Sequence, residues 1–207
     1  MEPEPQAALA VFGDRIGVVR HYAANLAEHG EELGLIGPLE LPRLWTRHIV
    51  NCGLVAPLIH PGARVGDVGS GAGLPGIVLA IARPDAEFIL IEPMERRVDW
   101  LTEQVSSLGL TNVSVERARA EDVTFSPWLD QVTARAVTAL RGLVPMASRL
   151  VRAGGELLLL KGASVEAELA AAEKAIRKAR LSDVQILELG HQYRTETTRV
   201  FRATVDQ

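Results

Sequence analysis

The stretch that most constrains this chain runs from residue 65 to residue 76 and reads V-G-D-V-G-S-G-A-G-L-P-G. The composition of residues 64–68 predicts a short buried strand, and the apolar residues 77–82 predict a helix. Between them, the glycines let the backbone adopt positive φ and approach a ligand, while the helix N-terminus offers free N–H groups. This strand–turn–helix pattern predicts a site for a nucleotide-like cofactor. A tight turn that binds nothing is the alternative.

The length and composition are those of one ordinary globular domain. The chain has 207 residues, of which 47% are hydrophobic and 23% are charged. Its one cysteine, Cys52, excludes an internal disulfide framework and a cysteine-rich zinc site, and we expect no bound metal. It opens with M-E-P-E-P and has no long apolar run, so we expect a cytoplasmic protein without a membrane span. The net charge of −4 does not favour nucleic-acid binding, although an enzyme needs only one basic face.

Apolar periodicity predicts strands that alternate with helices after the glycine turn. The predicted later strands are Glu87–Glu92, Val113–Glu116, Gln131–Ala134, Glu156–Leu160, Val184–Leu189 and Arg199–Val205. The last two are joined by a loop too short for a crossover helix, so they should pair antiparallel. This pattern predicts a Rossmann-like class I methyltransferase fold of the α/β class. Its seven-stranded sheet would be mostly parallel, with an antiparallel C-terminal hairpin.

The N-terminal part of the chain predicts two helices, over residues 7–29 and 41–58. Glycine and proline residues at 30–38 separate them, and Pro61-Gly62 ends the segment. These helices have too little apolar mass for a core of their own. We therefore expect residues 1–60 to form a helical cap on a methyltransferase domain over residues 61–207, the two making one structural unit.

Polar residues near the strand ends are the candidates for cofactor binding. Glu92 ends the second strand beside the turn, where a carboxylate can accept the hydroxyls of a ribose, and a solvated glutamate is the alternative. Asp67 lies among apolar neighbours and needs donors, so it braces the turn, contacts the cofactor, or does both. Ala120 and Glu121 follow the third strand, where they would flank an adenine. A charged surface turn is the alternative there.

The fourth and fifth strands end in basic residues. Arg135 is expected to contact a ligand, because a charge at the end of a core strand is costly unless it is paired. Lys161 could meet a phosphate or a substrate carbonyl, or it could reach solvent. The Asn/Asp-Pro-Pro-Tyr/Phe element of many amine-methylating enzymes is absent from residues 133–136. Along the sequence no cysteine lies next to these strands, since Cys52 belongs to the N-terminal segment, and this argues against thiolate attack.

Two other functions are compatible with parts of the pattern. An NAD-dependent dehydrogenase would explain the G-x-G-x-x-G spacing of Gly71, Gly73 and Gly76. Pro75 within the turn, the terminal hairpin and the lack of a hydride-site histidine–acid pair argue against it. A non-catalytic RNA-binding module on the same fold is the second alternative, which the intact turn and Glu92 disfavour.

Several motifs together resemble the RsmG (GidB) family. They are the turn itself, I-E-P-M-E-R-R after it, A-R-A on the fourth strand, L-L-L-L-K-G on the fifth, and L-W-T-R-H-I at residues 44–49. Members of that family are bacterial enzymes that use S-adenosylmethionine to methylate N7 of a guanosine in 16S ribosomal RNA. The resemblance implies S-adenosylmethionine as cofactor and 16S rRNA or the small subunit as partner, with direct in-line transfer and no general base. We expect a monomer that binds neither DNA nor membrane.

The site residues follow from the turn and from the resemblance. The turn supplies Gly71 and Gly73, and the resemblance implies cofactor contacts at Gly69, Leu74, Glu92, Ala120, Glu121 and Arg135. Arg135 and Lys161 are the predicted catalytic residues, gripping a phosphate or the guanine O6 edge. Candidate RNA contacts are Arg47, His48, Arg96, Arg97, Arg117, Arg119, Arg194 and Arg199. For His48, a role in the core or in helix capping is the alternative.

Overall fold

The protein is built on a seven-stranded sheet, seen in a computed structural model that describes residues 2–193 and 195–206. The strands are β1 Arg64–Val68, β2 Glu87–Ile91, β3 Val113–Glu116, β4 Leu129–Arg135, β5 Val151–Lys161, β6 Leu181–Leu189 and β7 Thr198–Val205. Their order is β3-β2-β1-β4-β5-β7-β6. Strands β1 to β5 pair in parallel, and β7 is antiparallel to both β5 and β6. The predicted class I fold with its antiparallel C-terminal hairpin is therefore confirmed.

Helices cover both faces of the sheet. They are α1 Gln6–Phe12, α2 Ile16–His29, α3 Asn51–Gly53, α4 Gly76–Ala82, α5 Glu95–Ser107, α6 Leu140–Ser148 and α7 Val165–Lys178. One apolar cluster joins the sheet to α1, α2, α4 and α5, and a second cluster joins the other face to α6 and α7. Burial on both faces explains why residues 88–91 of β2 and residues 157–160 of β5 are continuous apolar runs. None of the helices in the described part of the chain is long and apolar enough to cross a membrane.

The expectation of one regular helix over residues 41–58 was wrong. The segment changes from a 3₁₀ turn at Leu41–Arg43 to a π-helix at Leu44–Val50, and then to α3 and a second 3₁₀ turn at Ala56–Leu58. The apolar pattern indicates which residues are buried, but it does not specify the hydrogen-bond spacing of the backbone. Short π-helical stretches are rare and often accompany functional sites. Further 3₁₀ turns lie at Gly13–Arg15 and His191–Tyr193.

Strand β5 also differs from the prediction, because it begins at Val151 instead of Glu156. The added residues include Gly154 and Gly155. They lie within the strand, at a register shift against β4, and Gly154 has a φ of +73°. Glycine tolerates that conformation, so the irregularity stays inside the strand as a bulge.

The N-terminal helices bury their apolar side chains in the same cluster as α4 and α5. Tyr22, Leu26, Leu44 and Ile49 are fully buried there, together with residues of the sheet. Gly53 of α3 packs so closely on α1 that a Cβ atom would lie 2.6 Å from a ring carbon of Phe12. The N-terminal segment is therefore packed into the main core of the protein.

We predict opposite effects on stability for two glycine-to-alanine changes. Gly53→Ala should lower the free energy of unfolding by about 1–3 kcal/mol, because the added methyl group overpacks the contact with α1. Gly17 lies on the exposed side of α2, and a Cβ atom added there would have nothing within 4 Å. Gly17→Ala should therefore raise the free energy of unfolding by about 0.5–1 kcal/mol. Urea unfolding of the two variants measures both effects. Equal shifts in the same direction would contradict the packing described here.

Candidate active site

The glycine turn between β1 and α4 leaves open space above its backbone. The N–H groups of Gly69 and Ser70 donate to the Ile91 carbonyl at 2.9 and 3.3 Å, which ties the turn to the end of β2. Gly69, Gly71 and Gly73 have φ values of +68°, +57° and +101°. A Cβ atom on Gly71 would meet only the Gly69 carbonyl oxygen, at 3.7 Å, so a side chain there would fill this space. The turn therefore fits a ligand that approaches the backbone closely.

Asp67 braces the turn from within β1. Its fully buried carboxylate accepts the N–H of Gly76 at 3.0 Å and the hydroxyl of Thr133 at 3.1 Å. Burial raises the pKa of Asp67 to about 7, against the lowering effect of these hydrogen bonds. A Cβ atom on Gly76 would lie 2.5 Å from the Asp67 carboxylate, so the first residue of α4 must be glycine for this contact to form.

Glu92 lies under the turn and is 1% exposed, so the alternative of a solvated strand-end glutamate is wrong. Its two carboxylate oxygens accept the N–H groups of Gly71 and Met94, each at 3.0 Å. Arg97 lies 3.9 Å away, which places this arginine at the turn. Because each carboxylate oxygen has two lone pairs, Glu92 can still accept hydroxyl donors from a ribose. The turn and Glu92 together fit an adenosyl cofactor.

The residues after β3 have mixed environments. Ala120 is buried in the apolar cluster beneath α6, whereas the side chains of Arg119 and Glu121 are exposed. The carbonyl oxygen of Glu121 accepts a hydrogen bond from Arg149 at 2.6 Å. The backbone at this point is therefore held in place, and the charged side chains face outward.

A cavity of about 930 Å³ lies at the carboxyl ends of β4 and β5. Arg47, His48, Arg135, Lys161 and Arg199 all line it, so the structure brings together five residues from distant parts of the chain. The remaining candidates lie elsewhere. Arg97 lies beside Glu92, and Arg117 pairs with Glu95. Neither Arg96 nor Arg119 lines the cavity. Arg194 is outside the described residues.

Arg135 is anchored to the N-terminal segment. Its guanidinium donates to Nδ1 of His48, to the Cys52 sulfur at 3.2 Å and to the Arg47 carbonyl at 3.4 Å. The other ring nitrogen of His48, Nε2, lies 2.6 Å from the Glu40 carboxylate. Burial and the neighbouring Arg135 lower the pKa of His48 to about 4, although Glu40 opposes this effect. The neutral imidazole therefore accepts at Nδ1 and donates from Nε2.

Lys161 is held by protein groups, so the alternative of a lysine reaching solvent is wrong. Its side chain is 8% exposed, and its amino group lies 2.7 Å from Glu168 and 3.0 Å from the Thr138 carbonyl. Glu168 also accepts the N–H of Leu140 at 3.0 Å. Burial raises the pKa of Glu168, but Lys161 and the Leu140 N–H outweigh it and the pKa lies below its usual value. This ion pair fixes the loop between β4 and α6.

Val137 of that loop separates the cavity from the glycine turn. A Cβ atom on Gly69 would lie 2.8 Å from a methyl group of Val137, so the two residues are in close contact. Sequence reasoning missed Val137, Glu40 and Glu168. The first could have been found from its position directly after A-R-A, but the two glutamates carry no signal in the sequence beyond their charge.

The fold resembles solved methyltransferases at low sequence identity. The chain matches the structure of M. jannaschii TYW2 in complex with AdoMet with a TM-score of 0.61 and 17% identity, over 79% of this chain and 78% of that one. The tRNA methyltransferase TrmI from Aquifex aeolicus matches with a TM-score of 0.59 and 14% identity, over 76% and 68% of the two chains. These matches confirm the fold. This fold, together with the family match described next, shows that the protein is a class I methyltransferase that uses S-adenosylmethionine.

Closer relatives define the family. The family model described as rRNA small subunit methyltransferase G (GidB) matches residues 15–197, and the chain belongs to this family. A protein named ribosomal RNA small subunit methyltransferase G from Clavibacter michiganensis is 62% identical over 205 residues, which are 99% of this chain and 97% of the relative. Its namesake from Leifsonia xyli is 60% identical, over 99% and 98% of the two chains. The resemblance found in the motifs is therefore confirmed.

We predict that His48 makes the protein sensitive to mild acid. Its folded pKa of about 4 lies below the usual 6.5, so between these values the unfolded chain binds the proton more readily. Stability is therefore lost as the pH falls through this window. His48→Gln keeps one donor and one acceptor without titrating. Between about pH 7.5 and about pH 5 the wild type should lose about 2 kcal/mol more unfolding free energy than this variant.

Urea unfolding at the two pH values measures this difference. The control is His21→Gln, which replaces an exposed histidine on α2. This variant should lose as much unfolding free energy between the two pH values as the wild type does. If His48→Gln loses as much unfolding free energy between the two pH values as the wild type, His48 is not the source of the acid sensitivity.

Proposed function

We propose that this protein methylates N7 of a guanosine in 16S ribosomal RNA. The cofactor would lie over the glycine turn, and the target nucleotide would enter the cavity beside it. One observation carries the proposal: the cavity is lined by Arg47, Arg135 and Arg199, and Val137, which also lines it, is in close contact with Gly69 of the turn. The names of the relatives support a small-subunit rRNA substrate, and the chemistry of the cavity supports the choice of N7.

Guanine N7 carries a lone pair and no proton, so its methylation requires no general base. S-adenosylmethionine, when bound, supplies an electrophilic methyl group. His48 is the cavity's only histidine among the described lining residues, and both of its ring nitrogens are engaged by Arg135 and Glu40. It is therefore suited to positioning Arg135 and poorly suited to removing a proton. Rate enhancement would come from alignment, which can contribute about 7–11 kcal/mol.

On the cofactor side, the proposed contacts combine fixed backbone with one carboxylate. Glu92 would accept the ribose hydroxyls, since two backbone N–H groups already fix its orientation. Gly69, Gly71, Gly73 and Leu74 would contact the cofactor at the turn. The backbone of Ala120 and Glu121 would face the adenine, and the hydrogen bond from Arg149 to the Glu121 carbonyl holds that backbone in place.

On the RNA side, the proposed contacts differ in role. Arg47 and Arg199 lie at the cavity and are partly exposed, so they would contact phosphates, and this binding would weaken with salt. Arg135 would contact the target nucleotide from its anchored position. Lys161 would act as a positioning residue, because its amino group already holds Glu168 and the Thr138 carbonyl.

The first test is the modified nucleotide itself. Small ribosomal subunits from cells lacking the gene would be incubated with the purified protein and S-adenosylmethionine, then digested and analysed by mass spectrometry. We expect one 7-methylguanosine to appear in 16S rRNA. Glu92→Ala is the matched control and should abolish the product, because it removes the proposed ribose acceptor. A different methylated nucleoside, or none, would overturn the proposal.

The second test concerns Arg135. Arg135→Ala should lower kcat/KM for methyl transfer to small subunits by about 100-fold, because it removes a guanidinium at the cavity and leaves Nδ1 of His48 without its donor. Arg135→Lys keeps the charge and should recover part of the loss. Arg177→Ala removes an exposed arginine of α7 that does not line the cavity, and it serves as the control. Wild-type cofactor binding and methyl transfer in Arg135→Ala would remove this residue from the site.

A further inference from the structure

The carbonyl group of Ala72, in the middle of the glycine turn, accepts two hydrogen bonds from buried aromatic side chains. The Tyr22 hydroxyl donates to it at 2.9 Å, and the indole N–H of Trp100 donates at 2.9 Å. Tyr22 is fully buried and Trp100 is 3% exposed. A carbonyl oxygen has two lone pairs, so these two donors complete its hydrogen bonding.

The two donors come from outside the strand–turn–helix unit. Tyr22 lies on α2, in the N-terminal segment, and Trp100 lies on α5. Burial raises the pKa of the Tyr22 hydroxyl well above its usual value, so it remains a donor throughout the physiological range. Helices from two separate parts of the chain therefore meet at one peptide group of the turn.

That peptide group lies between two flexible positions. Gly71 and Gly73 flank Ala72, and both have positive φ. Glycine adopts negative φ about as readily, so these two residues alone do not fix the conformation of the turn. The Gly71 N–H is held by Glu92, and the Gly73 N–H donates to the Ser70 carbonyl at 2.7 Å. Holding the Ala72 carbonyl fixes the inner side of the turn, while the space above Gly71 stays open for a ligand.

We propose that Tyr22 and Trp100 are positioning residues of the cofactor site, which hold the turn in its ligand-receiving conformation through the Ala72 carbonyl. Helix α2 is then a functional part of that site, in addition to its packing role. This inference rests on the proposed function of the turn as the S-adenosylmethionine site. It does not depend on which RNA is the substrate.

A neighbouring hydrogen bond provides a matched control. Asn25, also on α2, donates to the side-chain oxygen of Gln104 on α5 at 2.9 Å. This bond joins the same two helices and does not involve the turn. Asn25→Ala should therefore weaken the packing of α2 on α5 without releasing the Ala72 carbonyl.

The experiment measures S-adenosylhomocysteine binding to the full-length variants by calorimetry. Tyr22→Phe removes one oxygen atom and should raise the Kd about five- to tenfold, the factor expected for one lost hydrogen bond. Trp100→Phe should have a similar effect, and the double variant a larger one. Asn25→Ala should lower the unfolding temperature of the ligand-free protein while its Kd stays within about twofold of the wild type. In methyl-transfer assays, Tyr22→Phe should raise KM for S-adenosylmethionine and leave KM for the RNA substrate unchanged.

The outcomes separate the two proposals. A wild-type protein that fails to bind S-adenosylhomocysteine would overturn the cofactor site and this inference with it. Binding by the wild type together with an unchanged Kd in Tyr22→Phe would overturn only the inference. Equal losses of affinity in Tyr22→Phe and Asn25→Ala would show that helix packing alone is responsible, and would overturn it as well.

Discussion

Two buried carboxylates hold the glycine turn, and the rest of the site depends on that turn. Asp67 and Glu92 lie at the ends of neighbouring parallel strands, and they accept the N–H groups of Gly76 and Gly71. A buried carboxylate is unfavourable unless it is hydrogen-bonded, so the two side chains and the backbone of the turn require each other. The positive φ values of the turn are therefore stabilised by surrounding groups, and the ligand does not have to impose them.

The cavity beside the turn is organised in the same way. Arg135 and Lys161 end adjacent parallel strands, which places both at one edge of the sheet. Each is bound by a group from elsewhere in the chain: His48 from the N-terminal segment for Arg135, and Glu168 from α7 for Lys161. Because Lys161 also holds the loop that carries Val137, the ion pair controls the boundary between the cavity and the turn.

The sequence predicted the fold more completely than the site. The limits of β1 and β3 were correct because apolar periodicity reflects burial, which sheet packing then preserves. The irregular winding of residues 41–58 was missed, since backbone hydrogen-bond spacing leaves no periodic signature. The strand-end rule located Arg135 and Lys161, but not Glu40 or Glu168, because these contacts arise from tertiary packing between distant segments.

Charge compensation in the cavity suits the proposed reaction. Methylation at N7 gives the guanine a positive charge, whereas the RNA backbone is anionic, so uncompensated cations would favour entry and oppose transfer. Arg47 lies 3.4 Å from Glu40, and Lys161 lies 2.7 Å from Glu168. His48, with a pKa of about 4, adds no charge at neutral pH. The exposed Arg47 can therefore attract a phosphate at the rim, while Glu40 and Glu168 limit the positive potential that Arg47 and Lys161 add to the cavity. Arg135, whose partners are the neutral His48, the Cys52 sulfur and the Arg47 carbonyl, keeps its charge for the target nucleotide.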